Sequence, residues 1–172
     1  GDWDLSQHSK FSGVDLSYFE EDTKERFIPH IVETSSGLAR QFLMFLDNAY
    51  EEEQNEAGDT RVFLKLHPAL APIKCAIFPL LKNKPELVAK AREVFLSLRT
   101  KFMCEFDDNG NVGKRYRRQD EIGTPFCVVV DFDTLGENPE LLDTVTIRHR
   151  DTGTQERLPI AELEAFIQER LK

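Results

Sequence analysis

The sequence has little sulfur, few histidines and no long apolar run, and each shortage narrows what the chain can be. Three cysteines, Cys75, Cys104 and Cys127, make an odd count with no CxxC pair. That argues against a disulfide scaffold or a zinc ribbon and for a reducing, cytoplasmic setting. His8, His30, His67 and His149 are scattered, with no HExxH and no paired-cysteine partner, so no metal site is read from them. No stretch approaches the roughly 20 apolar residues that span a bilayer. The acidic start Gly1-Asp2-Trp3-Asp4 lacks the apolar region of a signal peptide. An excess of positive charge is also missing: 22 Lys/Arg face 31 Asp/Glu, a net charge of -9. This argues against a protein that coats nucleic acid indiscriminately.

What is present is enough for a core. The 172 residues are 40% hydrophobic and 31% charged, which fits one domain, or one domain and a piece of another. The charge is uneven. Residues 1–60 carry 4 Lys/Arg against 14 Asp/Glu, residues 61–131 carry 13 against 8, and residues 132–172 carry 5 against 9. The middle segment could make one defined contact with a polyanion, or be a solvated charged surface.

Residues 1–26 read as polar and irregular, with a loop near Ser12-Gly13. Arg26 to Val32 reads as a strand in which Pro29 marks an edge or a bulge. Glu33-Thr34-Ser35-Ser36-Gly37 is a capping turn. Leu38 to Tyr50 is a helix whose Leu38, Phe42, Phe45, Leu46 and Ala49 form a buried face. The acidic run Glu51-Glu52-Glu53 opposes the helix dipole and is expected to fray into a loop. A short strand spans Arg61 to Leu66, and His67 to Pro72, bracketed by prolines, is the linker candidate. Beyond it strands and helices alternate: a strand from Ile73 to Leu80, then a helix with Leu87, Ala91, Val94, Phe95, Leu98 and Phe102 on one face. A strand from Met103 to Phe106, a turn at Asp107–Gly110 and a basic helix from Val112 to Ile122 follow. The apolar run Phe126 to Phe132 is a central strand, Asp151-Thr152-Gly153 joins a hairpin, and an amphipathic helix closes the chain. The order implies an α/β fold with a mixed β-sheet flanked by helices.

Two familiar motifs fail on inspection. Gly110-Asn111-Val112-Gly113-Lys114 has too few residues between its glycines for a phosphate loop, and Arg115 stands where Ser or Thr is needed. Asp107, Asn109 and Asn111 begin like a calcium loop, but Val112 and Arg118 occupy the glycine and glutamate positions. Two groups carry more. Lys114, Arg115, Arg117 and Arg118 surround Tyr116 on one helix, offering cations for phosphates and a ring for unstacked bases. Alternatively Arg115–Gln119 or Arg117–Glu121 pairs brace that helix. Glu33, Ser35 and Arg40 could hold an ammonium group beside a phosphate, or could be a helix-capping cluster with a snorkelling arginine.

Three stretches together resemble one family. Ile28 to Arg40 (IPHIVETSSGLAR) resembles class II motif 3, Leu66 to Lys74 resembles the junction that follows it, and Gly113 to Asp133 resembles the most recognisable part of an anticodon-binding domain. In order and spacing they are similar to the dimeric type of glycyl-tRNA synthetase, a class II aminoacyl-tRNA synthetase, from Gly1 to about Leu171. The resemblance implies that residues 1–66 are the C-terminal part of a class II catalytic domain, an antiparallel sheet with the motif 3 helix, and that residues 67–172 are an anticodon-binding domain.

It further implies that Glu33 and Ser35 bind the amino group of glycine and that Arg40 binds ATP. Thr34 stands where proline is common and Ala39 where an acidic residue is common, and neither change removes a ligand group. His8, Ser12 and Gly13 fall near the same site without an assigned role. The family's motifs 1 and 2 should lie upstream of Gly1, so the resemblance implies a C-terminal fragment, inactive alone, with no catalytic residue and no metal ligand of its own. The parent enzyme would be a cytoplasmic homodimer that activates glycine with ATP and Mg²⁺ and charges tRNA(Gly). Lys114, Arg115, Arg117 and Arg118 are tRNA-binding candidates on charge alone. The competing functions are a non-catalytic, synthetase-like nucleic-acid-binding protein, and a small-molecule α/β module. The latter should carry a glycine-rich loop after its first strand, where Phe78-Pro79-Leu80-Leu81 stands instead.

Overall fold

The computed structural model describes residues 1–54 and 58–172. They form two compact units, Gly1–Gln41 and Phe42–Lys172.

The first unit holds α1 (Trp3–Ser12), β1 (Tyr18–Phe19), β2 (Arg26–Phe27) and the first turn of α2 (Leu38–Ala49). The helix α1 corrects the irregular reading of residues 1–26. It ends where Gly13 adopts φ 70° and its N–H bonds the Ser9 carbonyl at 3.0 Å. The strand expected from Arg26 to Val32 shrinks to Arg26–Phe27, paired antiparallel with Tyr18–Phe19. Pro29 has no N–H with which to extend the ladder.

In the second unit α2 runs directly into β3 (Tyr50–Gln54), which pairs antiparallel with β4 (Thr60–Leu64). The acidic run is therefore a strand rather than a frayed end. Glu53 faces Arg61 in register and bonds its Nη1 at 3.0 Å, so cross-strand attraction offsets the like charges along the strand. The part of the expected loop at residues 55–57 lies outside the described residues.

The main sheet contains β5 (Cys75–Pro79), β6 (Cys104–Phe106), β7 (Phe126–Val130), β8 (Thr144–His149) and β9 (Gln155–Pro159), in the order β6-β5-β7-β8-β9. β5 is parallel to both β6 and β7, and β7, β8 and β9 pair antiparallel, so the sheet is mixed as expected. Side chains alternate faces along each strand. Cys75, Ile77, Val128, Val130, Val145 and Ile147 pack with Leu87, Ala91, Val94 and Leu98 of α3 (Pro85–Leu98) and with Leu163, Phe166 and Ile167 of α5 (Leu163–Arg170). Ala76, Phe78, Cys127 and Val129, on the other face, pack with Val112 and Tyr116 of α4 (Val112–Glu121). Burial on both faces is why Phe126–Val130 reads as one unbroken apolar run.

Candidate nucleic-acid interface

The chain path around β5 sets up a crevice. β5 leads into α3 on one face of the sheet, while its parallel neighbour β6 leads into α4 on the other. Loops leaving adjacent parallel strands toward opposite faces open a gap at the carboxyl edge, where ligands of open α/β sheets bind. An open cavity of about 500 Å³ lies there, lined by Leu80, Lys82 and Asn83 after β5 and by Gly110, Asn111 and Arg115 after β6.

α4 begins at this edge. Asn111 caps it, its side-chain oxygen accepting from the Lys114 N–H at 2.9 Å. The four basic residues of the helix then separate into distinct jobs. Lys114 and Arg117 are exposed and form no ion pair among the described residues. Arg118 is part-exposed and turned back: its Nε donates to Asp107 at 3.0 Å and its Nη2 to the Asn109 carbonyl at 2.7 Å, bracing the loop.

Arg115 is the correction. It is 1% exposed, and its guanidinium donates to the carbonyls of Pro79, Asp108 (3.1 Å) and Gly110 (2.7 Å). Burial holds its pKa below the ordinary arginine value. It fastens α4 to the end of β5 and is not a surface cation. The bracing pairs expected within α4 do not form among the described residues. Arg115 reaches across to β5, and the Gln119 side-chain oxygen accepts from Thr124 at 2.6 Å.

Tyr116 is likewise no open platform. Its ring lies 5.8 Å from Phe78, the Arg148 guanidinium sits 4.7 Å from its centroid, and burial raises its phenol pKa to about 12.

Charge reasoning along the sequence missed a cluster at the other end of α4. The buried Asp120 carboxylate accepts from Arg148 at 2.9 and 3.0 Å and from Arg61 of β4 at 2.8 Å. Burial pulls the Arg61 pKa down, but Asp120 and Glu53 outweigh it and leave the value raised. A cleft of about 230 Å³ opens beside this cluster, with Thr60 and Arg117 on its lining. Arg150, 1% exposed, donates to the carbonyls of Gly123 and Leu66, both at 2.6 Å. Lys74 spends its ammonium on the carbonyls of Pro68, Ala69 and Ala71 at 2.7–3.1 Å, so the proline-bracketed segment is stapled down.

Glu33, Ser35 and Arg40 are all exposed, and their side chains form no hydrogen bond or ion pair among the described residues. Glu33 and Ser35 lie in the segment before α2, and Arg40 lies in the helix's first turn. A carboxylate, a hydroxyl and a guanidinium are thus available for an ammonium and a phosphate. The structure does not bond them to one another. Among the described residues no group of three or more His, Cys, Asp or Glu is placed to hold a metal ion.

The α/β architecture with a basic helix at the switch point agrees with the comparison to known families. Residues 74–170, more than half of the sequence, match the anticodon binding domain family, and the chain belongs to it. Over almost its whole length it is also similar to proteins named glycine–tRNA ligase. It is 50% identical over 171 residues to that of Clostridium beijerinckii, covering 99% of this chain and 35% of the relative. It is 51% identical over 174 residues to that of Thermobifida fusca, covering 99% and 36%. The ligase of Borrelia garinii subsp. bavariensis is 52% identical over 169 residues, covering 97% and 37%. The chain spans about a third of the length of the curated relatives it matches.

Proposed function

We propose that the chain is the anticodon-reading part of a glycine–tRNA ligase. The observation that carries this reading is the α4 edge of a mixed sheet in an anticodon binding domain, in a chain about 50% identical from end to end to glycine–tRNA ligases. Residues 67–172 form the anticodon-binding domain. Residues 1–66 form the end of a class II catalytic domain, in which Glu33 and Ser35 meet the amino group of glycine and Arg40 meets a phosphate of ATP. The apolar face of α2 supports that assignment. Leu38, Phe42 and Phe45 keep the helical spacing of a packed face yet are 83%, 63% and 44% exposed, and only Ala49 of that face is buried. Such a face belongs against further polypeptide.

The parent enzyme is a cytoplasmic homodimer that activates glycine with ATP and Mg²⁺ and transfers it to tRNA(Gly). Carboxylate attack on a phosphate needs placement and charge neutralisation, which Arg40 supplies on this chain. The chain alone forms no glycyl-adenylate. On the RNA side, Lys114 and Arg117 contact backbone phosphates, Arg118 holds the loop beside them, and Arg115 positions the helix from beneath.

Hydroxyl-radical footprinting of glycine tRNA on this chain tests the reading. Protection is expected over the anticodon stem and loop, and protection of the acceptor end alone would overturn it.

A further inference from the structure

α4 is fixed at both ends by buried charges, but the two fixings differ in kind. At the N-terminal end Arg115 donates to backbone carbonyls. At the C-terminal end both of the helix's ion pairs to the strands meet at one carboxylate, beside the Gln119–Thr124 bond and the packing of Tyr116 on Phe78. Asp120, 2% exposed, holds Arg148 from β8 through both of its oxygens and Arg61 from β4 through one. Arg61 in turn bonds Glu53 across the β3–β4 hairpin and the Arg150 carbonyl. The Arg148 guanidinium also lies over the ring of Tyr116, one turn back along α4. Arg117, the exposed cation between Tyr116 and Asp120 in sequence, shares the same cleft. Removal of this one acid would leave the buried Arg148 guanidinium without its carboxylate and release the part-buried Arg61 from the helix. With those ion pairs gone the C-terminal turns of α4 could shift on the sheet, and Lys114 and Arg117 would move with them.

We propose that Asp120 is a positioning residue for RNA capture. Its carboxylate touches no RNA; it fixes the C-terminal turns of α4 on the sheet and so sets where Lys114 and Arg117 meet the phosphates. The inference rests on the RNA-binding reading given above. The sign of the effect separates it from simple electrostatics. Exchange of a carboxylate for an amide takes the net charge up by one, which by long-range attraction alone should tighten binding to a polyanion. Loss of position should weaken it.

The test is fluorescence anisotropy of the chain with a labelled anticodon stem-loop of glycine tRNA across a salt series. Wild type, Asp120→Asn and Asp120→Glu are compared, with thermal melts of each. Asp120→Asn is expected to bind about tenfold more weakly, with a salt slope lower by about 0.7–0.9 for each phosphate that α4 no longer reaches. Equal or tighter binding by a folded Asp120→Asn chain overturns the proposal. If that variant has no cooperative melt, Asp120→Glu decides. Its charge is unchanged and its arm is one methylene longer, so weaker binding supports positioning and wild-type binding contradicts it. Failure of the underlying reading shows separately, in the wild-type arm, as absence of binding to the stem-loop.

Discussion

Arg150 donates from Nη2 to the carbonyl of Leu66, 84 residues earlier in the chain, at 2.6 Å. This one bond ties the segment that follows β4 to the residue just after β8, and the same guanidinium holds the Gly123 carbonyl behind α4. An arginine used this way is a structural fastener. Arg150→Met keeps the bulk and removes the donors, leaving two buried carbonyls unpaired. The expected loss is about 3 kcal/mol, from about 1–3 kcal/mol for each unsatisfied group. Urea denaturation measures it, and a loss below about 0.5 kcal/mol, the range of an ordinary surface change, would contradict the role.

Gly123 is required for two reasons at once. Its φ of +81° is left-handed, and a Cβ there would stand 3.0 Å from the Leu64 carbonyl oxygen and 3.0 Å from a methyl of Leu66. Gly153, with φ +68° in the β8–β9 turn, has open space where its Cβ would be. Gly153→Ala should therefore cost only the conformational penalty of about 1–2 kcal/mol. Gly123→Ala should cost clearly more. Equal melting temperatures for the two variants would show that β4 does not pack there as described.

The basic residues of α4 should divide between stability and RNA binding. Arg117→Ala should leave stability within about 0.5 kcal/mol of wild type and lower the salt slope of RNA binding by about 0.7–0.9. Arg115→Ala should cost about 2 kcal/mol or more by orphaning the buried Pro79 carbonyl and removing the bonds to the Asp108 and Gly110 carbonyls. Paired urea and anisotropy measurements on both variants check the division. A stable Arg115→Ala chain with a reduced salt slope would reverse it.

Much of this arrangement is written in short-range pattern. The helices from α2 onward, the five strands of the mixed sheet and the β8–β9 turn follow from apolar periodicity and from Asp151-Thr152-Gly153, because neighbouring residues decide them. The acidic strand β3 does not follow, since its stability comes from Arg61 on the opposing strand. α1 is hidden because none of its residues is buried and its sequence shows no apolar stripe. The basic helix is legible as charge, but not the burial of Arg115, which depends on the backbone of β5, 36 residues away. Asp120 lies 28 residues from Arg148 and 59 from Arg61, so no local window joins them. The roles of Glu33, Ser35 and Arg40 rest on resemblance, because exposed side chains without internal partners carry no fold signal.

Alkaline pH should weaken the fold through its thiols. Burial pushes Cys104 up to about 11 from 9.0, and also raises Cys75 and Cys127. The unfolded chain ionises these groups first, so it holds fewer protons than the folded chain above its own thiol pKa. Stability is therefore fully present below pH 9 and declines as pH rises toward 11. The urea midpoint should hold steady from pH 7 to 8.5 and fall by pH 10.5. Replacement of Cys104 by Ala should reduce that fall, and an unchanged fall would assign it to other groups.

The most direct test of the central claim is fluorescence anisotropy of this chain with glycine tRNA and with a copy carrying a different anticodon, each titrated at several salt concentrations. Binding that prefers the native anticodon, with a preference that persists at moderate salt, is the expected result. Equal affinity for both RNAs that collapses together as salt rises would reduce α4 to a phosphate-binding surface and contradict anticodon reading by residues 67–172.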